Sequence, residues 1–402
     1  MPATNDLRIH FDTDLTVINA TIALFVLAIG VAPLFWAPFS ERIGRRWVYI
    51  SSMGFYTVFT IICGIANSLP LFFVFRILQG IASSAGMAVG GGSVADLFRP
   101  AERGRAMSTF MLGTIIGPAF SPLIGGYVAQ YLGWRWIFYI CTILGGVIFI
   151  ANIVLLRETL YRPNYEKPKS RIEYLKFNPF TSLRLLLRPE VLLVCIPIST
   201  AFGWFYYLVT ILPSTYSEVY GFDTGTIGLL YLAGGVGNCS GSVIAGFISD
   251  RIYAYQLKHG KTSTEGRLVP LYFGIPFLIA GFLMYGWFVH SRLHWFTPLI
   301  GYMFSTLGSM YTITTGTTYL VESYLHVSAS VVSVSNFTRN LFAMLFSILS
   351  VQIRAGMGDN WSYTLASLMN LVFYLICIPM VHIFGARLRA AKPWYSRKQV
   401  SN

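Results

Sequence analysis

The 402-residue chain is 55% hydrophobic and only 11% charged, with a formal net charge of +13. A soluble chain of this length carries about 25% charged residues, and here long apolar runs replace the missing charge, which excludes an ordinary soluble domain. Cys63, Cys141, Cys195, Cys239 and Cys377 all fall inside those runs without paired spacing, so neither a disulfide framework nor a metal site is expected, and no cofactor.

Residues 1–15 are polar, with Asp6, Arg8, Asp12 and Asp14, and do not read as a signal peptide. A spanning helix needs about 20 apolar residues. The runs at 16–38, 47–66, 70–96, 105–130, 134–156, 191–212, 222–249, 270–290, 295–320, 328–353 and 361–386 meet that length, giving eleven expected spans. The expected architecture is an all-α polytopic membrane protein. A five-span bundle occupies 1–156, a basic, proline-containing linker 157–190, a six-span bundle 191–386 and a tail 387–402.

If the loop at 41–46 is cytoplasmic, alternation places the segments at 97–104, 157–190 and 250–269 and the tail on the same side. Those segments hold most of the 29 lysines and arginines. The opposite loops hold only Arg135, Arg292 and Arg354, with Arg8 ahead of the first run. This asymmetry orients the basic side to the cytoplasm, C-terminus included, and accounts for the net charge without nucleic acid. Integral insertion in the plasma membrane, as a monomer, is expected.

The halves echo each other. Ala37 to Arg46 packs Glu41, Arg42, Arg45 and Arg46 around Gly44 at the end of one run, and Gly246 to Arg251 ends another with Asp250 and Arg251. Asp96 closes the third run and Glu322 the ninth. Weak internal symmetry of this kind marks many secondary transporters.

Motifs in chain order narrow the reading. Ala37, Glu41, Arg42, Gly44, Arg45 and Arg46 follow G-x-x-x-D-R-x-G-R-R, with alanine for the first glycine and glutamate for aspartate. Arg76, Gln79 and Gly80 give R-x-x-Q-G. Gly117, Pro122, Gly125 and Gly126 follow G-x(8)-G-x(3)-G-P-x(2)-G-G, with Ser108 and Ser121 in place of glycines. Asp96, Glu102-Arg103-Gly104, GWRWIF at 133–138 and ETL at 158–160 complete the series. Over essentially its whole length the chain resembles the major facilitator superfamily, and within it the fungal twelve-span drug:proton antiporters, the quinidine-resistance-like members included. The resemblance implies two pseudo-symmetric helical bundles, export of drugs or fungal secondary metabolites, and exchange against protons by alternating access. It also implies a twelfth span. Pro2-Ala3 resembles the residues just past the family's first span, so that span is expected to be missing here.

Each motif has a physical reading. Gly44 allows a tight turn, and Arg42, Arg45 and Arg46 can pair with Glu41 and Asp96 to hold two helix ends as a cytoplasmic gate, with Asp250, Arg251 and Glu322 as its counterpart. Arg76, with Gln79 one turn on, lies inside a span, where a cation costs about 2.5–3.5 kcal/mol and implies function. Arg339, with Asn336, lies near mid-membrane. Both arginines are candidates for proton coupling or the substrate cavity, as are Trp204, Tyr207, Tyr231 and Asn238, whose aromatic and amide groups suit bulky amphipathic molecules. Interfacial anchoring competes for the aromatics. No Asp or Glu lies deep in a span, so the titrating acid belongs to the missing span or is Asp14. Gly113, Gly117, Ser121 and Gly125, with Pro118, Pro122 and Gly126, form a small-residue seam on a bent helix that can seal a cavity against proton leak.

Alternatives within transport are organic-acid or polyamine export, where two intramembrane arginines favour an anion or neutral solute over a polycation. A non-transporting sensor on this scaffold is a further alternative. A histidine-cluster enzyme is disfavoured, because His290 and His294 at helical spacing have no acid beside them.

Overall fold

A computed structural model describes residues 4–97, 117, 120–159, 179–259, 264–324 and 328–391. Among these the chain is all-helical, and nine helical stretches are long and apolar enough to cross a membrane. In lipid every backbone polar group must be satisfied within the protein, which a helix does for itself.

The helices are α1 (Thr4–His10), α2 (Leu15–Val31), α3 (Pro33–Ile43), α4 (Arg45–Ile65), α5 (Leu69–Ser83), α6 (Ala85–Leu97), α7 (120–132) and α8 (Trp134–Leu155). After the linker come α9 (Pro189–Tyr220), α10 (Thr224–Lys258), α11 (Leu271–His290), α12 (Phe296–Ser323), α13 (Ser328–Ile348) and α14 (Ser350–Ala391), with short 3₁₀ turns at Pro179–Leu187 and Thr264–Leu268. Several expected spans are modified by local chemistry. The first is divided at Ala32, where Pro33 starts α3 without a donor N–H, and the third at Ser84. Apolar composition stops at residue 212 in the sixth span, yet α9 continues to Tyr220. Gly358, at φ +74°, breaks the otherwise continuous α14, which runs on into the expected tail as far as Ala391.

Contacts divide the chain into two compact units. The first comprises residues 1–181, 203–235 and 340–356, and the second residues 182–202, 236–339 and 357–402. In the first unit α4 packs along α5 and α8, and α2 along α5. Its apolar centre joins Phe72, Trp134 and Phe138 in edge-on aromatic contact with Leu7 and Ile18. Asn19 on α2 donates to Ser350 on α14, and Ser347 on α13 bonds Thr210 on α9.

In the second unit the dominant contact is α11 against α12. A side chain at Gly281 would meet the Ser305 backbone, one at Gly301 the Tyr285 backbone, and one at Gly308 the Leu278 backbone, so glycines let these helices approach closely. Helix α12 is not among the nine apolar stretches, because it is rich in serine and threonine. It is nevertheless buried along much of its length. Ser305, Ser309, Thr312 and Thr315 turn their hydroxyls back onto carbonyls three or four residues earlier, which removes the cost of burying them.

Candidate functional site

The first charged cluster is built at the α3–α4 junction. Gly44 adopts φ +112°, a conformation costly for any residue with a Cβ, and starts α4 immediately after α3 ends. The Arg45 side chain is buried; its Nε donates to Asp96 Oδ2 on α6 at 3.2 Å, and it also reaches Ser40. Glu158, after α8, accepts the backbone N–H of Arg45 at 2.9 Å and of Arg46 at 3.3 Å, which satisfies the open end of α4 with a full negative charge. A Cβ on Gly44 would collide with that carboxylate. Arg46 also donates to Ile153 O at 3.0 Å. Of the expected partners, Asp96 takes Arg45. Arg42 lies half-buried in the last turn of α3, and the side chain of Glu41 lies outside the described residues. Sequence reasoning gave Glu158 no role, although it opens the ETL element.

The second cluster forms around Arg267. Arg251 stacks its guanidinium 4.2 Å over Phe247 on its own helix. Arg267, in the 3₁₀ turn before α11, does the joining. It forms a two-pronged pair with Glu322 (2.8 and 2.7 Å), and its Nη1 reaches Asp250 at 3.3 Å and the Ser249 hydroxyl at 3.1 Å. That turn lies against Glu322, fifty-five residues on, which spacing could not show. Two further ion pairs belong to this unit: Arg389 at the end of α14 with Glu265, beside Tyr319, and Arg188 with Glu190 (3.6 Å), whose carboxylate accepts the Tyr324 hydroxyl. Burial, then the Glu190 carboxylate, pushes the Tyr324 phenol up.

Inside the first unit Arg76 is 4% exposed. Its Nη1 donates to Gln79 Oε1 at 2.9 Å, and Gln79 in turn donates to Thr60 at 2.7 Å. Phe25 lies 4.5 Å from the guanidinium carbon, Phe138 5.6 Å and Phe72 6.0 Å. Aromatic faces from three helices stabilise the desolvated cation. Arg339 in the second unit has a similar environment: Asn336 accepts its Nη2 at 2.7 Å, and Phe202 lies 4.7 Å away. Each intramembrane arginine is thus held by an amide one turn along its own helix and by phenylalanine.

The remaining candidates separate. Trp204 and Tyr207 are fully buried, with Trp204 against Phe346 (4.6 Å) and Tyr207 (5.0 Å), so neither is an interfacial anchor. Tyr231 is buried and donates its hydroxyl to Val209 O at 2.9 Å, a helix-to-helix strut. Asn238 is half-buried in the other unit. Of the small-residue seam, Gly126 meets Gly228 and the carbonyl of Thr224 on α10, while a Cβ on Gly117 or Gly125 would meet no described residue. Ser121 is exposed and Pro122 half-buried; Gly113 and Pro118 lie outside the described residues, as do Glu102-Arg103-Gly104.

Comparison with known proteins places this architecture. The family model of the Major Facilitator Superfamily matches residues 1–347. The chain is 32% identical to the MFS-type transporter hepF of Aspergillus oryzae over 386 residues, covering 92% of this chain and 80% of that one. It is 33% identical to the MFS transporter fsa7 of a Fusarium species over 415 residues (96% and 80%), and 30% identical to the efflux pump radE of Floropilus chiversii over 393 residues (92% and 73%). Among solved structures, a D-xylose–proton symporter superposes with a TM-score of 0.66 at 16% identity, covering 93% of this chain and 91% of the symporter. A point mutant of the nucleoside transporter NupG gives 0.67 at 10% identity, with 94% of each chain covered. An all-helical membrane fold, a family match over most of its length and fungal relatives sharing a third of its residues together establish that the chain belongs to the Major Facilitator Superfamily and is an integral membrane transporter.

Proposed function

We propose that this transporter exports small organic molecules, drug-like compounds or fungal secondary metabolites, by proton antiport, acting as a monomer in the plasma membrane with its C-terminus in the cytoplasm. The observation that carries this reading is the pair of arginine–carboxylate clusters, Arg45 with Asp96 and Glu158 in one unit and Arg267 with Asp250 and Glu322 in the other. Both sit at helix ends that the charge asymmetry assigns to the cytoplasm. Ion pairs at helix ends are bistable elements: formed, they hold those ends together, and parted, they let the ends separate. In this reading bundles at 1–156 and 191–386 rock around a central cavity and the clusters hold its cytoplasmic side shut. The name of radE as an efflux pump supports the export direction.

Arg76 with Gln79, and Arg339 with Asn336, are the proposed coupling or substrate residues. Desolvated guanidiniums attract anionic groups, which favours a second reading in which organic acids are exported. The decisive measurement is efflux from proteoliposomes with and without an imposed pH gradient, over acidic, neutral and cationic substrates. Flux independent of the gradient refutes antiport, and preference for polycations refutes the assignment of the arginines.

A further inference from the structure

A cavity of about 370 Å³ opens within the first unit where α1, the α7–α8 junction and the α9–α10 junction meet. Its lining includes two carboxylates, Asp6 and Asp223, with Gln130, Ser217, Trp134 and Phe222, and no lysine or arginine among the described residues. The carboxylates differ in their surroundings. Asp223 precedes α10, and its carboxyl is held below the usual range chiefly by the Thr226 side chain, with the Gln130 amide and the Thr226 N–H, which it accepts at 3.3 Å, adding to this. Asp6 is half-buried, makes no ion pair or hydrogen bond with another described residue, and is pushed up by that burial. The carbonyl oxygen of Gln130 accepts the Gly225 N–H at 2.9 Å, and its side chain also bonds the Asp223 carboxylate. Arg135, next to Trp134, lies over that ring at 4.7 Å and spends Nη2 on Asn67 at 2.8 Å and on His10 at 3.2 Å. The nearby cation is thus tied into the α1 and α4–α5 side.

We propose that this cavity binds a small organic cation of the alkylammonium class, with Asp6 and Asp223 supplying the charge and Phe222 and the edge of Trp134 the apolar wall. A carboxylate drawn partly out of water, with no counter-ion among the described residues, is a group for which an incoming cation gains, because part of the desolvation has already been met by folding. Aromatic carbon beside carboxylates recognises an ammonium bearing methyl groups better than a hydrated metal ion. The charge is opposite to that at Arg76 and Arg339, so this is a different site, and the proposed topology places it at the outer face.

Calorimetric titration of the purified full chain in non-ionic detergent tests the site, with choline as probe and its neutral carbon isostere dimethylbutanol as control. Saturable choline binding is expected at concentrations below about 10 mM. Asp6→Asn and Asp223→Asn should each weaken it about tenfold, and Asp6→Glu should retain it. Asn at 223 is itself a good helix cap, so that variant keeps the start of α10. Absence of saturable binding overturns the proposal, as does equal affinity for dimethylbutanol or unaltered binding in the double Asn variant. Should an Asn variant not fold, the choline–dimethylbutanol comparison on the unaltered chain still decides. The assay uses no proton gradient and no transported substrate, so its failure and the failure of the antiport reading are separate outcomes.

Discussion

Replacing Glu158 by alanine removes the acceptor of two backbone N–H groups at the start of α4, those of Arg45 at 2.9 Å and Arg46 at 3.3 Å. Loss of an acidic acceptor at a helix N-terminus costs about 1–2 kcal/mol, and the exposure of Glu158 places the cost at the lower end. Gly44→Ala attacks the same element from the other side: its φ of +112° strains any Cβ, and that Cβ would displace the same carboxylate. The strain contributes a further 1–2 kcal/mol or so. Thermal unfolding in detergent should therefore show Glu158→Ala lowering the midpoint by about 2–4 °C and Gly44→Ala by about twice that. The double variant should fall short of the sum, because Gly44→Ala has already cost the chain part of what Glu158 provides. Strict additivity, or an unchanged midpoint in Glu158→Ala, refutes the idea that the acid caps α4 across the Gly44 turn.

Arg267→Ala should destabilise the second unit by about 2–3 kcal/mol, since it leaves the half-buried Glu322 without its two-pronged partner, whereas Arg251→Ala should change the thermal midpoint little. Arg76→Lys keeps the charge but loses the planar group lying against Phe25 and bonded to Gln79; initial efflux in proteoliposomes should fall about tenfold. Tyr231→Phe should cost about 1 kcal/mol through the lost bond to Val209 and leave substrate preference unchanged in competition assays. Asp6 predicts a pH effect with a definite sign. Its folded carboxyl sits above the ordinary 3.8, so the folded chain binds that proton more tightly than the unfolded one. The penalty of ionised Asp6 is fully present above the raised value and disappears as pH falls to 3.8 and below. Asp6→Asn should thus raise the thermal midpoint near neutral pH and lose that advantage in acid.

Much of the fold was legible because spanning a membrane is a demand on composition. Arg45 and Asp96 were also legible as partners, since both stand at the ends of apolar runs that alternation puts on one side. Glu158 and Arg267 were not. Each acts through a return of the chain over more than fifty residues, Glu158 to the start of α4 and Arg267 to Glu322 on α12. In the sequence they were two more charges in basic loops. Trp204 was ambiguous in another way: an aromatic in an apolar run fits an interface as well as a cavity, and its contact with Phe346 shows it packed inside.

By itself the sequence determined that the chain lies in lipid, how many apolar runs it contains and that Arg76 and Arg339 sit inside them, because transfer of side chains from water to hydrocarbon is a local property read one run at a time. Tertiary structure alone decided which arginine joins Asp250 to Glu322, and that the polar α12 is tolerated as an interior helix. It also decided that each intramembrane cation rests on phenylalanine, from three helices around Arg76 and from α9 at Arg339. Those outcomes depend on which helix faces approach, through glycine seams and hydroxyls turned back onto their own carbonyls, and on chain returns that no spacing rule specifies.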